Sequence, residues 1–152
     1  YDRDYLGIGK VGSSGAQQWQ NFVYTADGSP SQLLVPIEPG DYVITYFVGQ
    51  DRSVLKAKQI TVTAVEARLI AEPTATAGTE LIVGWDGPDY DRDYVGIGRV
   101  GASGSAAWET FAYTRDGNTL TIKLPETPGD YVVTYFAGQD RSSLATLPLT
   151  LE

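Results

Sequence analysis

Four aspartates, Asp86, Asp89, Asp91 and Asp93, fall within a stretch of eight residues. Alternating carboxylates of this kind open oxygen-ligand calcium loops, because hard cations are held by carboxylate and carbonyl oxygens. An EF-type loop beginning at Asp89 needs Gly at its sixth position and Glu at its twelfth. The chain has Tyr94 and Val100 there, and Arg92 sits inside the run as a competing cation. The segment reads as a solvated or Arg-paired turn, and no metal is expected.

A second grouping combines Asp91, Arg92 and Asp93 with Gln139, Asp140 and Arg141. The same residues occur earlier in the chain as Asp2, Arg3 and Asp4, and as Gln50, Asp51 and Arg52. A guanidinium fork pairs carboxylates bidentately, which a lysine ammonium cannot do. If the fold brings each pair of segments to one end, three uses are open to them. They are an ion-pair network, a docking surface for a neighbouring unit, or a ligand site.

Catalytic chemistry is poorly provided for. The chain has no His, so the usual base that activates a Ser or Thr hydroxyl is missing. Paired carboxylates hydrolyse glycosides, but here the candidates lie on turns rather than in a cleft. The segments Gly12-Ser13-Ser14-Gly15 and Gly101-Ala102-Ser103-Gly104 lack the Lys and following helix of a phosphate-binding loop. Exposed Trp and Tyr can stack on sugars, although the Tyr residues mostly fall on inward positions of alternating strands.

Composition narrows the partners. Cys, His and Met are all absent, which removes the main ligands of zinc, copper, haem and iron–sulfur sites, so no cofactor is expected. No disulfide can form. The net charge of −8 repels nucleic-acid phosphates and anionic membrane surfaces alike. No apolar run approaches the roughly 18 residues of a membrane span. At 42% apolar and 20% charged residues, the chain can nonetheless bury a core.

The elements that carry these residues repeat. Shifted by 89 positions, the sequence matches itself without a gap: Tyr1-Asp2-Arg3-Asp4-Tyr5 returns as Tyr90-Asp91-Arg92-Asp93-Tyr94, and Trp19 returns as Trp108. Pro39-Gly40-Asp41-Tyr42 returns as Pro128-Gly129-Asp130-Tyr131, and 34 of 63 aligned positions are identical. Two domains are therefore expected, residues 1–63 and 64–152, with the first beginning mid-repeat. The complete unit reads as seven strands: Ala67–Glu72, Glu80–Trp85, Tyr94–Val100, Glu109–Thr114, Leu120–Leu124, Tyr131–Ala137 and Ala145–Leu151. Each alternates or is rich in β-branched and aromatic residues, with Gly, Pro, Asp and Asn between. Asp27-Gly28 and Asp116-Gly117 are hairpin signals.

Seven short strands with turns every 8–12 residues predict an all-β fold of tandem immunoglobulin-like antiparallel β-sandwiches. Trp85 is expected to fill the space between the sheets, and Tyr131 to begin a tyrosine corner. In this topology the loops holding Asp91–Asp93 and Gln139–Arg141 share one end.

The order Gly84-Trp85-Asp86-Gly87-Pro88, Asp93-Tyr94-Val95-Gly96-Ile97, Phe111-Ala112-Tyr113-Thr114, Pro128-Gly129-Asp130-Tyr131 and Leu147-Pro148-Leu149-Thr150 resembles the Ig-like repeats of large bacterial secreted proteins, some of which carry von Willebrand factor A domains. The resemblance spans residues 64–152 and the later three-quarters of the pattern in residues 1–63. It implies a structural module outside the cell, on its surface or in the periplasm, and no catalytic residues.

The first copy lacks the opening strands that correspond to residues 64–89. Their place is expected to be taken by sequence ahead of Tyr1, or by a strand-donating neighbour, unless the unit stands partly uncovered. The connection Thr63-Ala64-Val65-Glu66 has no Gly or Pro, which favours a stiff rod. The expectation is a non-enzymatic repeat of a stalk, filament or surface assembly, with neighbouring repeats or copies of itself as partners. A glycan- or protein-binding adhesion module using loops or exposed aromatics is the alternative.

Overall fold

The computed structural model describes residues 3–14 and 18–152. The chain is all-β and divides into two compact units, Tyr1–Ala64 and Val65–Glu152.

The second unit holds eight strands: β5 (Arg68–Ile70), β6 (Thr74–Ala75), β7 (Glu80–Asp86), β8 (Tyr94–Arg99), β9 (Thr110–Tyr113), β10 (Thr119–Lys123), β11 (Gly129–Phe136) and β12 (Ser143–Leu151). They form a three-stranded sheet in the order β10-β7-β5 and a five-stranded sheet in the order β6-β12-β11-β8-β9. Side chains alternate across a strand, so each strand sends every second residue inward. Leu81 and Val83 of β7 and Leu120 and Ile122 of β10 come from one sheet. Val95 and Ile97 of β8, Tyr131, Val133 and Tyr135 of β11, and Leu149 and Leu151 of β12 come from the other, and all of these join one buried cluster. Antiparallel register aligns them: Leu81 lies opposite Ile122, Val83 opposite Leu120, Val95 opposite Tyr135, and Tyr131 opposite Leu149.

Eight strands appear where seven are expected because a short extra strand, β6, forms after Pro73 in the stretch expected to connect the first two strands. Pro73 has no N–H with which to continue a ladder, and the chain changes sheets there. β5 pairs with β7, while β6 pairs in parallel with β12, tied by the Thr150 N–H to the Pro73 carbonyl at 2.9 Å and the Glu152 N–H to the Ala75 carbonyl at 3.0 Å. Nor is Asp116-Gly117 a hairpin turn. It closes a 3₁₀ turn over Thr114–Asp116, with Gly117 at φ 136°, and carries the chain from β9 in one sheet to β10 in the other. Trp85 also differs from expectation. It is only partly buried at the margin of the core, where its Nε1 donates to the Gly117 carbonyl at 2.7 Å. The start of β11 does what a tyrosine corner does: the Tyr131 hydroxyl donates to the Thr127 carbonyl at 2.9 Å.

The outer face of the five-stranded sheet carries a second apolar layer. Tyr94 stacks on Phe136 with centroids 4.9 Å apart, and Trp108, Phe111 and Tyr113 continue the cluster. Tyr94 and Tyr113 thus lie on the face of the sheet turned away from the inward Tyr131 and Tyr135. Trp108 and its loop lie flat on the sheet because Gly98 offers no side chain. A Cβ there would meet the Ala107 carbonyl oxygen at 2.2 Å.

The first unit holds β1 (Tyr5–Lys10), β2 (Asn21–Tyr24), β3 (Gly40–Phe47) and β4 (Val54–Val62) in one antiparallel sheet ordered β2-β1-β3-β4. Among the described residues four strands are found where five are expected. The missing one is residues 30–34, the counterpart of β10. In the second unit β10 takes its ladder from β7, and residues 1–63 contain no counterpart of β7. Without that partner the segment forms no ladder, although Leu33 packs beside Ile8, Tyr42 and Val62, and Ile37 is buried.

Leu81 and Ile82 are adjacent in β7, yet 5% and 64% exposed. Leu81→Ala should cost about 2–5 kcal/mol by removing core volume, whereas Ile82→Ala should stay within about 0.5 kcal/mol. Urea unfolding of the two variants checks this; equal losses would mean that β7 is in a different register.

Candidate functional site

The chain reverses direction twice at one end of each unit, just before β8 and just after β11 in the second unit. Asp93 stands two residues before Val95 and four before Ile97, so period-two alternation places its carboxylate on the core side. It is 1% exposed. A buried carboxylate is costly unless donors surround it, and here three do. The Tyr135 hydroxyl donates to Oδ2 at 2.8 Å, the Gly138 N–H to Oδ1 at 2.8 Å, and the Tyr90 N–H to Oδ2 at 3.0 Å. One side chain thereby clamps both loops. The fit at Gly138 leaves no room for a Cβ, which would stand 2.3 Å from the Arg92 carbonyl carbon.

The first unit builds the same clamp. Asp4, 2% exposed, accepts the Gly49 N–H on Oδ1 at 2.9 Å and the Tyr46 hydroxyl on Oδ2 at 3.0 Å. The carbonyl oxygen of Arg3 stands 2.2 Å from where a Gly49 Cβ would be. Asp2, the remaining acidic candidate of this loop, lies outside the described residues.

The other candidates are brought to the same ends but do different things. Asp91 and Arg92 are exposed, and their ion pair, at 3.7 Å between sequence neighbours, contributes little in water. Asp140 and Asp51 are also exposed, and each accepts the N–H of the residue two further on, Ser142 or Ser53, at 2.9 Å. Arg141 and Arg52 adopt left-handed backbone, φ 62° and 60°, with their N–H groups bonded to the Ala137 and Val48 carbonyls. The Arg52 guanidinium lies 5.9 Å from the Trp19 ring centre. Gln50 is exposed and Gln139 partly buried. The two loops are joined by buried carboxylate bonds to backbone and tyrosine; the Arg92–Asp91 pair stays within one loop.

Of the acidic run, Asp89 accepts the Thr114 hydroxyl at 2.7 Å while Asp93 faces the core. Among the described residues no three acidic side chains converge in a way that could hold a metal ion. Residue spacing alone did not single out Tyr135, Gly138 and their counterparts Tyr46 and Gly49 as partners of the aspartates. A signal was present in the alternation: Asp93 occupies an inward position, and an inward charge demands donors.

Titration follows from these bonds. The Gly49 N–H, and after it the Tyr46 hydroxyl, hold the Asp4 carboxyl below the usual carboxylate range, against the opposing effect of burial. Burial, and then the bond to Asp93, push the Tyr135 hydroxyl well above its ordinary value, so it remains a donor throughout the neutral range. No protein-family model matches the chain, and no curated protein matches it.

Asp93→Ala should lower the stability of the second unit by at least about 3 kcal/mol, since three donors lose their acceptor. Asp91→Ala should change it by no more than about 0.5 kcal/mol. Chemical denaturation separates the two, and a tolerated Asp93→Ala would contradict the clamp.

A depressed carboxyl stabilises the fold above its unfolded pKa of about 3.9, and that contribution disappears as pH falls through the folded value. Between about pH 5 and pH 3 the first unit should therefore lose stability more steeply in the parent chain than in Asp4→Asn. Parallel slopes in a pH series of melts would count against this role for Asp4. Tyr135 carries the opposite sign, its contribution being complete below about pH 10 and lost at higher pH.

Proposed function

We propose that the chain is a non-enzymatic structural repeat of an extracellular, cell-surface or periplasmic assembly, built from immunoglobulin-like sandwich units in tandem. The observation that carries this reading is the clamp. The buried carboxylate at the loop end, the side chain there best suited to chemistry, is committed in both units to holding its own loops. The two-sheet arrangement around one core, the change of sheet at Pro73 and the tyrosine corner at Tyr131 support the immunoglobulin-like assignment. Freedom from oxidisable Cys and Met suits an oxidising exterior.

A second reading has its own support. Phe22 and Phe111 are 49% and 40% exposed at matching edge positions, on β2 and β9, beside other aromatic rings. Exposed rings of this kind stack on sugar faces or anchor protein partners, which is what an adhesion module needs.

Two measurements decide between the readings. In cells that make the protein, antibody against residues 64–152 should label intact surfaces and follow the surface fraction. On a glycan array the purified chain should show no saturable binding. Saturable binding that disappears in the double variant Phe22→Ala, Phe111→Ala would replace the structural reading with the adhesive one.

A further inference from the structure

Short length, proline and charge keep the edge of a sheet from pairing with other chains. The second unit protects most of its edges in this way. β6 has two residues and follows Pro73, β5 has three and begins with Arg68, and β10 ends on Lys123. The exception is β9, Thr110-Phe111-Ala112-Tyr113, the outer strand of the five-stranded sheet, which has neither charge nor proline.

Antiparallel strands bond through every second residue. The Thr114 N–H donates to the Asp93 carbonyl at 3.0 Å, and the β8–β9 register continues this bonding through Ala112 and Thr110. Phe111 and Tyr113 therefore turn their N–H and C=O groups away from β8, and these groups have no partner among the described residues. Their rings lie 5.3 Å apart on the outer face, with Phe111 40% exposed. In the first unit Phe22 and Tyr24 hold the matching places on β2. There, however, the Asn21 side chain donates to the Leu34 carbonyl at 2.9 Å, so part of that strand is taken by its own chain.

We propose that β9 pairs with β9 of a second copy of this chain, antiparallel, about a two-fold axis at Ala112. Phe111 then lies opposite Tyr113 of the second copy, and each outward N–H meets an outward carbonyl. Such a contact needs only one self-complementary patch. Facing aromatic rings add cross-strand pairing energy. Charge selects the register. Counted outward from Ala112, Glu109 falls opposite Arg115 of the second copy, and Arg115 opposite its Glu109. Both are exposed, and the Arg115 guanidinium lies 4.7 Å from the Tyr113 ring centre. Glu109 is also 3.6 Å from Arg99, an exposed pair that holds it weakly. A shift of two residues separates the facing charges and leaves one outward residue on each copy facing its like. The corresponding residues beside β2 are Gln20 and Ala26, so the charge selection belongs to the second unit. This inference rests on the structural-repeat reading above and supplies its contact between chains.

The test is sedimentation velocity of the full chain from about 10 μM to about 1 mM, the range in which a short, weak interface fills. The average mass should rise toward that of a dimer, and amide exchange at Phe111 and Tyr113 should slow about threefold or more. Glu109→Arg alone and Arg115→Glu alone should each stay monomeric, because each sets like charges opposite one another. An equimolar mixture of the two should associate again, since every facing pair is then opposite in charge. Phe111→Lys alters an exposed position without touching either charge and should also stay monomeric. Each variant should keep the circular dichroism spectrum of the parent, which separates a lost contact from a lost fold. The proposal is overturned if the parent is monomeric at the highest concentration, or if it dimerises while these two amides exchange as in dilute solution. It is also overturned if Phe111→Lys dimerises like the parent, or if the mixture does not restore what the charge variants lost. Surface labelling reports separately on the structural-repeat reading, so a failure of either idea is recognisable by itself.

Discussion

A carboxylate on the inward side of a strand must be met by donors, and much of the loop end of each unit is arranged to meet it. Asp93 receives the Tyr135 hydroxyl and the Gly138 and Tyr90 N–H groups; Asp4 receives the Tyr46 hydroxyl and the Gly49 N–H. Several features follow from that one demand. Tyr135 lies fully inside the core with its hydroxyl directed at the carboxylate, and its ring lies 5.7 Å from that of Trp85. Residue 138 has to be Gly because the Arg92 backbone occupies the position of its Cβ. Arg92 takes a left-handed backbone, φ 67°, in the turn that delivers Asp93. A strained turn and a close backbone approach are tolerated because the charge-assisted bonds they permit are stronger than neutral ones.

The same demand also limits the chemistry that the residues at this end can do. A carboxylate available for acid–base work needs a route to substrate, whereas Asp93 and Asp4 are enclosed. The exposed members of the cluster, Asp91, Arg92, Asp140 and Arg141, lie in water, where paired charges are weak. The more distinctive exposed chemistry is on the outer sheet face, where aromatic rings gather over a glycine floor in both units.

Strand pairing is a condition that neither partner can meet alone. The segment at residues 30–34 has the apolar Leu33 and Leu34, yet it forms no strand, while its counterpart Thr119–Lys123 does. The difference is the presence of β7 alongside. In the first unit Leu33 packs against Ile8, Tyr42 and Val62 instead. The sheet β2-β1-β3-β4 persists because its four strands pair with one another and do not depend on the absent ladder.

Period-two alternation made the strands of the second unit legible from sequence, and with them the inward set Leu81, Val83, Val95, Ile97, Leu120, Ile122, Tyr131 and Leu149. The 89-residue repeat made the division of the chain legible, since self-identity needs no structure to be seen. Both are local or linear properties, carried in full by residue order. The short extra strand after Pro73, the four-stranded form of the first unit and the marginal position of Trp85 were not legible, because each depends on which strand lies beside which. The clamp falls between the two. The segment was expected to be a solvated or Arg-paired turn although alternation carried a signal that Asp93 faces the core, and two of its three donors lie 42 and 45 residues away along the chain. Only the folded arrangement, by bringing the end of β11 against the start of β8, determined that a tyrosine and a glycine would meet the charge.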